Sequence, residues 1–207
     1  MESTNVLFEN NVVNLSGEII SKGEFSHEVY GEKFYVYDLA VKRLSEESDV
    51  IRLTISERLA SPEELATGSK VVVLGQFRSY NKHEETKNRL ILSVFVREIA
   101  FDEEGKDDNK ILLNGYVCKQ PIYRKTPLGR EICDLLIAIN RPYGKSDYIP
   151  CIAWGRNARY ASSFEVGQAV VVNGRIQSRE YTKKLSEEES EKRVAYEVSV
   201  SKIEMAN

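Results

Sequence analysis

The chain has 207 residues, of which 42% are hydrophobic and 29% are charged, a balance that supports a packed core and excludes wholesale disorder. No apolar run approaches the ~20 residues of a membrane span, and the N-terminus lacks the basic and apolar segments of a secretory signal. The three cysteines, Cys118, Cys133 and Cys151, form no CxxC pair. They argue against a disulfide scaffold or zinc site and predict a cytoplasmic location.

Charge is divided unevenly between the two halves of the chain. Residues 1–105 have 12 Lys and Arg against 19 Asp and Glu, a net charge of −7. Residues 106–207 have 17 against 13, a net charge of +4. The overall charge of −3 therefore hides a basic second half, although drift in surface composition explains the difference equally well.

An internal repeat indicates two copies of one domain. Gly17 in NLSGEI and Gly115 in LLNGYV are 98 residues apart, and several further pairs keep that offset: Gly31 and Gly129, Arg43 and Arg141, Asp49 and Asp147, Arg58 and Arg156, Ala60 and Ala158. After one inserted residue, GSKVVVLGQFRS aligns with GQAVVVNGRIQS at an offset of 99. We predict a first domain over residues 1–101, a polar linker over 102–110 and a second domain over 111–207.

Each copy predicts five short strands in about 100 residues. The second strand alternates apolar and polar residues, the third and fourth are β-rich, and a charged hairpin leads to the fifth. Between the third and fourth strands, Ser61-Pro62-Glu63-Glu64 has the signals of a helix start and Gly68 those of its end, with Asn157–Phe164 as the counterpart. The expected fold is therefore all-β with short helices, as two tandem five-stranded OB-fold barrels.

Alternation along the third strand distinguishes the two copies. In copy one, it places three core residues on one face and a polar set on the other, which contains Val50, Arg52, Thr54 and Ser56. The same register in copy two places Ile149, Cys151 and Ala153 inward and an apolar set outward, which contains Tyr148, Pro150, Ile152 and Trp154. Large apolar side chains on a face that can stay wet predict a partner.

The fourth strand of copy two adds basic and amide groups to this face. Its outward positions are Asn173, Arg175, Gln177, Arg179 and Tyr181. Interleaved aromatic and basic side chains favour single-stranded nucleic acid, whose bases stack on rings and whose phosphates attract cations. The alternatives stay open at this point: Trp154 also fits a core or subunit interface, and the tyrosines also fit a sheet surface with wet hydroxyl groups.

Candidate phosphate contacts concentrate in the second copy. The segment CKQPIYRKTPLGRE is basic where its counterpart in copy one is not, although a solvated turn also explains it. The complete candidate set is Arg124, Lys125, Arg130, Arg141, Lys145, Arg156, Arg175 and Arg179. In the hairpin of residues 182–193, Lys183 and Lys184 are within reach of a nucleic-acid backbone, whereas the acidic stretch Glu187–Glu189 would repel it.

Copy two resembles the bacterial single-stranded-DNA-binding protein family in a tandem OB-fold form. The resemblance runs from Ile111 to Met205 and rests above all on DYIPCIAWG followed by GQAVVVNGRIQSREY. It implies that DNA wraps on the OB-fold and that its bases stack on four aromatic positions, which are Tyr143, Tyr148, Trp154 and Tyr181 here. Copy one resembles the same domain more weakly, with Ser45, Val50, Ser56 and Lys82 at those positions, so we expect it to be structural or dimerising.

These observations predict a non-enzymatic, sequence-tolerant single-stranded-DNA binder that acts in DNA replication, recombination or repair. By the resemblance, a homodimer would provide four OB domains. The sequence ends at IEMAN after the last predicted strand, so we expect no acidic C-terminal tail that recruits partners. The alternative is an OB-fold protein-interaction module, an accessory in replication restart or in a mobile element, which the acidic first copy favours.

Catalysis is not expected, and neither is a cofactor, a metal or a membrane. The two histidines, His27 and His83, both lie in copy one in turn-like contexts, and the sequence contains neither a G-x-x-x-x-G-K-[ST] phosphate loop nor a nucleophile elbow.

Overall fold

The computed structural model describes residues 10–45, 47–84, 87–102, 104–184 and 190–206, without the side chains of 82–84, 87–89, 183 and 184. The first half contains strands β1 (Asn11–Ile19), β2 (Glu24–Val29), β3 (Glu32–Lys42), β4 (Ser48–Ser56), β5 (Lys70–Glu84) and β6 (Lys87–Phe101). The second half contains β7 (Asp108–Val117), β8 (Ile122–Lys125), β9 (Glu131–Arg141), β10 (Lys145–Trp154), helix α1 (Arg156–Ala161), β11 (Ala169–Lys184) and β12 (Ser190–Met205).

Each half closes into a barrel, and the two barrels share one sheet. The strand order is β2-β3-β4-β6-β5-β1-β7-β11-β12-β10-β9-β8, and the additional pairings β3–β1 and β7–β9 close the two halves. Antiparallel pairing of β1 with β7 joins the halves, from Asn11 opposite Leu113 to Ser16 opposite Asp108. The prediction of two tandem OB folds is confirmed. Each half has six strands rather than five, because β2 and β8 form short hairpins with β3 and β9.

Barrel closure depends on a glycine in the first strand of each half. β1 pairs with β5 along most of its length and with β3 at its end, so its backbone passes close to two neighbours. A Cβ on Gly17 would lie 2.3 Å from the carbonyl oxygen of Ala40, and one on Gly115 would lie 2.4 Å from that of Ala138. These distances explain why the repeat keeps this glycine pair.

The predicted helix of the first copy does not form within the described residues. Ser61 and Glu64 make the reciprocal capping contacts, since the Ser61 backbone amide donates to Glu64 Oε2 at 2.7 Å and the Glu64 amide donates to Ser61 Oγ at 3.4 Å. The segment stays a series of turns and ends at Gly68, which has φ +95°. In the second copy the helix is α1, shorter than the predicted Asn157–Phe164.

Three side chains depart from the predicted faces of the third strand. Ile152 was expected outward but is buried, and Thr54 and Ser56 were expected on a wet face but are also buried. The two polar residues are satisfied internally, because Thr54 Oγ1 lies 3.0 Å from Ser93 Oγ and Ser56 Oγ donates to Glu32. Strict alternation fails at Thr54 and Ser56 because side chains of β6 and β3 lie against their hydroxyl groups. β7 also begins at Asp108, inside the segment 102–110 predicted as a linker.

Candidate nucleic-acid interface

Four aromatic side chains of the second half are open to solvent. Tyr148 and Trp154 lie six residues apart on one face of β10, Tyr143 lies in the turn before that strand, and Tyr181 lies on β11. Their exposed fractions are 42% for Tyr148, 37% for Trp154, 99% for Tyr143 and 41% for Tyr181. The core tryptophan considered as an alternative is therefore wrong for Trp154 within this chain. Half-open rings of this kind provide faces on which bases can stack.

Backbone geometry projects Tyr143 away from the barrel. It lies in a 3₁₀ turn, Pro142–Gly144, with φ 63° and ψ 32°, and Gly144 also has a positive φ. A left-handed conformation is unfavourable for a tyrosine, by about 1–3 kcal/mol, and such strain concentrates at functional sites. The turn lets β9 reverse directly into β10 while the ring remains outside the packed core.

Five of the predicted phosphate contacts are exposed cations. Within the described part of the chain they make no ion pair: Lys125, Arg130, Lys145, Arg156 and Arg179. They come from the β8–β9 hairpin, the start of β10, the start of α1 and the middle of β11. Because no neighbouring carboxylate neutralises them, they contribute positive potential around the aromatic face.

The other three predicted contacts are held in ion pairs. Arg124 Nε lies 2.8 Å from Asp134 Oδ2, and this hydrogen bond raises the pKa of the Arg124 guanidinium. Arg141 Nε lies 3.0 Å from Asp147 Oδ2, and Arg175 Nη1 lies 2.7 Å from Asp49 Oδ2. Arg175 therefore connects the two halves, a role that the strand pattern did not predict.

A buried carboxylate from each half enters the other half. Asp49 accepts a hydrogen bond from the Ser178 backbone amide at 3.0 Å, and the Val50 amide donates to Ser178 Oγ at 2.9 Å. The second half repeats the arrangement: Asp147 accepts from the Ser79 amide at 2.7 Å, and the Tyr148 amide donates to Ser79 Oγ at 2.8 Å. The junction thus places Tyr148 directly beside residues of the first half.

The two carboxylates, Asp49 and Asp147, differ in the number of arginines paired with them. Asp49 is paired with both Arg43 and Arg175, and the hydrogen bond from Arg43 raises the pKa of that guanidinium. Asp147 is paired with Arg141 alone, and neither Arg141 Nε nor Asp147 Oδ2 has hydrogen-bond geometry. Burial raises the pKa of Asp147, although the Ser79 amide and the nearby arginines oppose this effect.

A basic cleft that the sequence did not predict lies where the halves meet. A cleft of about 420 Å³ is lined by Tyr143, Lys145 and Arg141 of the second half and by Arg78 and Arg97 of the first. Arg78 lies on β5, next to the buried Ser79, in the copy expected to be structural. The repeat of Asp49 and Asp147 signalled conserved geometry between the copies, but no local pattern pointed to arginines of the first half.

Metal and membrane chemistry find no support among the described residues. These residues contain no cluster of three or more His, Cys, Asp and Glu side chains able to hold a metal ion. In the same part of the chain, no helix is long and apolar enough to cross a membrane.

The structure does not describe the side chains of His83, Lys82, Lys183 and Lys184, and Glu187–Glu189 also lie outside the described residues.

Comparison with known proteins matches the second half of the chain. Residues 108–206 match the model of the single-strand binding protein family. Single-stranded DNA-binding protein 3 of Listeria innocua is 32% identical over 80 residues, 35% of this chain and 50% of that protein. Single-stranded DNA-binding protein A of Bacillus subtilis is also 32% identical over 80 residues, 35% of this chain and 46% of that protein. The chain thus spans about half the length of these curated relatives.

Solved structures match both halves together. The wild-type single-stranded DNA binding protein from Thermus aquaticus superposes with a TM-score of 0.76 at 20% identity, over 95% of this chain and 93% of that one. At this identity the likeness shows the fold alone. The dimeric structure of the N-terminal domain of PriB protein from Thermoanaerobacter tencongensis has 46% identity over 45% of this chain and 98% of that one, with a TM-score of 0.41.

Proposed function

We propose that this protein, whose residues 108–206 match the model of the single-strand binding protein family, binds single-stranded DNA without catalysis and with little sequence preference. It acts wherever unpaired strands arise, in replication, recombination or repair. Bases stack on Tyr143, Tyr148, Trp154 and Tyr181, each of which adds roughly 1–3 kcal/mol. The surrounding cations contact phosphates, so that binding weakens as salt rises.

The observation that carries this proposal is the coincidence of open rings and unpaired cations on one half. Tyr148 and Trp154 share a face of β10, and Lys145 stands at the start of the same strand. A surface that served only to pack the barrel would bury its indole and neutralise its cations. Recognition of an unpaired strand by stacking and charge requires both groups open, as they are here.

The three cations in ion pairs have graded roles in this proposal. Arg124 is exposed, so a phosphate can replace Asp134 at small cost because exposed ion pairs are weak. Arg141 and Arg175 are less exposed and hold the carboxylates at the junction. Their main contribution is to fix the two halves, with phosphate contact as a second one.

We also propose that the chain forms a homodimer with four OB domains. The strands β5, β1, β7 and β11 form a continuous sheet whose outer face lies opposite the barrel cores. That face presents partly exposed apolar side chains: Val12, Val72, Leu74, Leu112, Tyr116 and Val171. Apolar residues on the wet side of a sheet support pairing with a second copy. Sedimentation equilibrium should give twice the chain mass, and Leu112→Glu should give a monomer.

A cytoplasmic location fits the free thiols. Cys118, Cys133 and Cys151 form no disulfide, as expected of a reducing compartment that also contains the chromosome.

The decisive experiment is titration with oligothymidine. We expect quenching of Trp154 fluorescence and an affinity that falls as salt rises, because stacking shields the indole and phosphate contacts release counterions. Tyr148→Ala should weaken binding by about 1–3 kcal/mol. Tyr160→Ala is the matched control, since Tyr160, on α1, is equally exposed but packs edge-on against Phe164. Unchanged fluorescence together with no gel shift at low salt would exclude the proposed function.

A further inference from the structure

A second cleft, lined mainly by the first half, shares two lining residues with the cleft at the junction. This second cleft has a volume of about 620 Å³ and is lined by Arg52 of β4, Arg78 and Tyr80 of β5, Phe95 of β6 and Arg141 of β9. The junction cleft also contains Arg78 and Arg141. The two clefts therefore meet at this arginine pair, with Tyr143 and Lys145 on one side and the exposed Tyr80 on the other.

Arg78 is directed toward these clefts by its neighbours. Its Nη2 donates to Gln76 Oε1 at 2.9 Å, and its guanidinium carbon lies 3.9 Å from the centre of the Phe95 ring. The aligned positions of β11 have the order reversed, with Arg175 and Gln177, and there the arginine is paired with Asp49. Arg78 lies two positions further along its strand than Arg175 does along β11. It has no partner like Asp49 there, and it makes no ion pair within the described part of the chain.

Two further arginines lie close enough to Arg78 to lower its pKa. Arg97 and Arg141 approach it, while the nearest acid, Asp147, is already paired with Arg141. Burial, followed by repulsion from those two arginines, lowers the pKa of Arg78 to about 10, so it stays cationic near neutral pH. At the far rim, Arg52 has only a weak partner, Asp38 at 3.9 Å. An anion that bridged these arginines would relieve their repulsion.

We propose that Arg78, together with Arg52 and Arg141, binds phosphodiester groups of a single strand as it passes from the second half onto the first. This inference rests on the proposed function and extends it, because the first half was expected to be structural. Two neighbouring clefts that share Arg78 and Arg141 favour a polymer over a small anion. Planar groups beside the arginines, Tyr80 and Phe95, suit a strand whose bases are unpaired. The four aromatic positions of the second half are not needed for this contact.

Two oligothymidines of different length test the contributions of the two halves separately. One of about 10 nucleotides fits within the ~4–16 that one OB fold occupies, and one of about 30 nucleotides reaches the other half of the same chain. Arg52→Ala and Arg78→Gln should leave the affinity for the short strand unchanged and weaken the long one several-fold. Each should also reduce the slope of log affinity against log salt for the long strand by about 0.7. Arg58→Ala is the control, an arginine of the same half that is paired with Glu32 and lines neither cleft.

The possible outcomes distinguish this inference from the proposed function. Normal quenching of Trp154 by the short strand, with long-strand binding and salt slope unchanged in both variants, would overturn this inference and leave the proposed function intact. Absence of binding to either strand by the unaltered protein would exclude the function itself. If Arg78→Gln does not fold, Arg52→Ala decides alone, because its side chain lies at the rim and makes no short contact.

Discussion

Asp49 and Asp147 are buried at equivalent positions of the two halves, and each reaches across to a serine amide of the other half. This reciprocal exchange gives the chain an approximate two-fold axis at its junction. These reciprocal contacts also explain why the two copies are similar in sequence around Asp49 and Asp147. The proposed interface for DNA adjoins this junction, since Tyr148 follows Asp147 directly and its amide donates to Ser79.

The two carboxylates should contribute unequally to stability. Asp49→Asn should lower the free energy of unfolding by about 2–3 kcal/mol, because Arg43 and Arg175 both lose a buried partner. Asp147→Asn should cost less than about 1 kcal/mol, because its single arginine is paired without good geometry and burial already disfavours the charged carboxylate. Urea denaturation measures both. Asp134→Asn, which removes the exposed partner of Arg124, should change stability by less than about 0.5 kcal/mol. Equal losses at Asp49 and Asp147 would contradict the proposed asymmetry.

Asp147 should also give a recognisable pH dependence. Burial raises its pKa in the folded protein above the ordinary 3.8, so its neutral form is favoured in the fold. Below that ordinary value both states are protonated and stability is complete. As pH rises through the folded pKa, the fold must hold a buried carboxylate and stability falls. The stability of the unaltered protein relative to Asp147→Asn should therefore decrease as pH rises from the ordinary 3.8 through the folded pKa, by about 1.4 kcal/mol for each unit by which the pKa is raised. A constant or rising difference would refute this.

Tyr143 should show opposed effects on stability and binding. Asn tolerates a left-handed backbone better than Tyr, so Tyr143→Asn should stabilise the fold by about 1 kcal/mol in urea denaturation. The same change should weaken oligothymidine binding by about 1–3 kcal/mol through loss of a stacking ring. Tyr30→Asn is the matched control, because Tyr30 is also fully exposed with a positive φ, but in the first half. It should show the stability gain alone, and a comparable loss of binding would argue against a specific role for Tyr143.

The thiols should react in a fixed order. Burial raises the pKa of Cys133 to about 11 and that of Cys151 further, and both side chains are enclosed by the core. At about pH 8, roughly one Cys133 in a thousand is a thiolate. Cys118 is partly exposed, so Ellman's reagent should modify one thiol quickly and the other two only in denaturant. Cys118→Ser should abolish the fast phase, and rapid reaction of two thiols in the native protein would show that the barrel opens.

Much of the fold follows from patterns that are local in the chain. Alternation with a period of two places Ile149, Cys151 and Ala153 inward and leaves Tyr148 and Trp154 outside, as the structure shows. The repeat at offsets of 98 and 99 predicts two similar barrels, because equal residues at equal spacing fold alike. The predicted helix start at Ser61 forms its capping contacts, but the residues after it stay in turns.

Contacts between the halves were settled only by the tertiary structure. Asp49 and Ser178 are separated by 129 residues, and no periodicity along one strand can report which strand of the other barrel will lie beside it. The same limit hid the burial of Ile152, the pairing of Arg175 and the cleft at Arg78, since each depends on a neighbour brought in by barrel closure. Strand alternation determines which way a side chain points, whereas packing of one half against the other determines what it meets there.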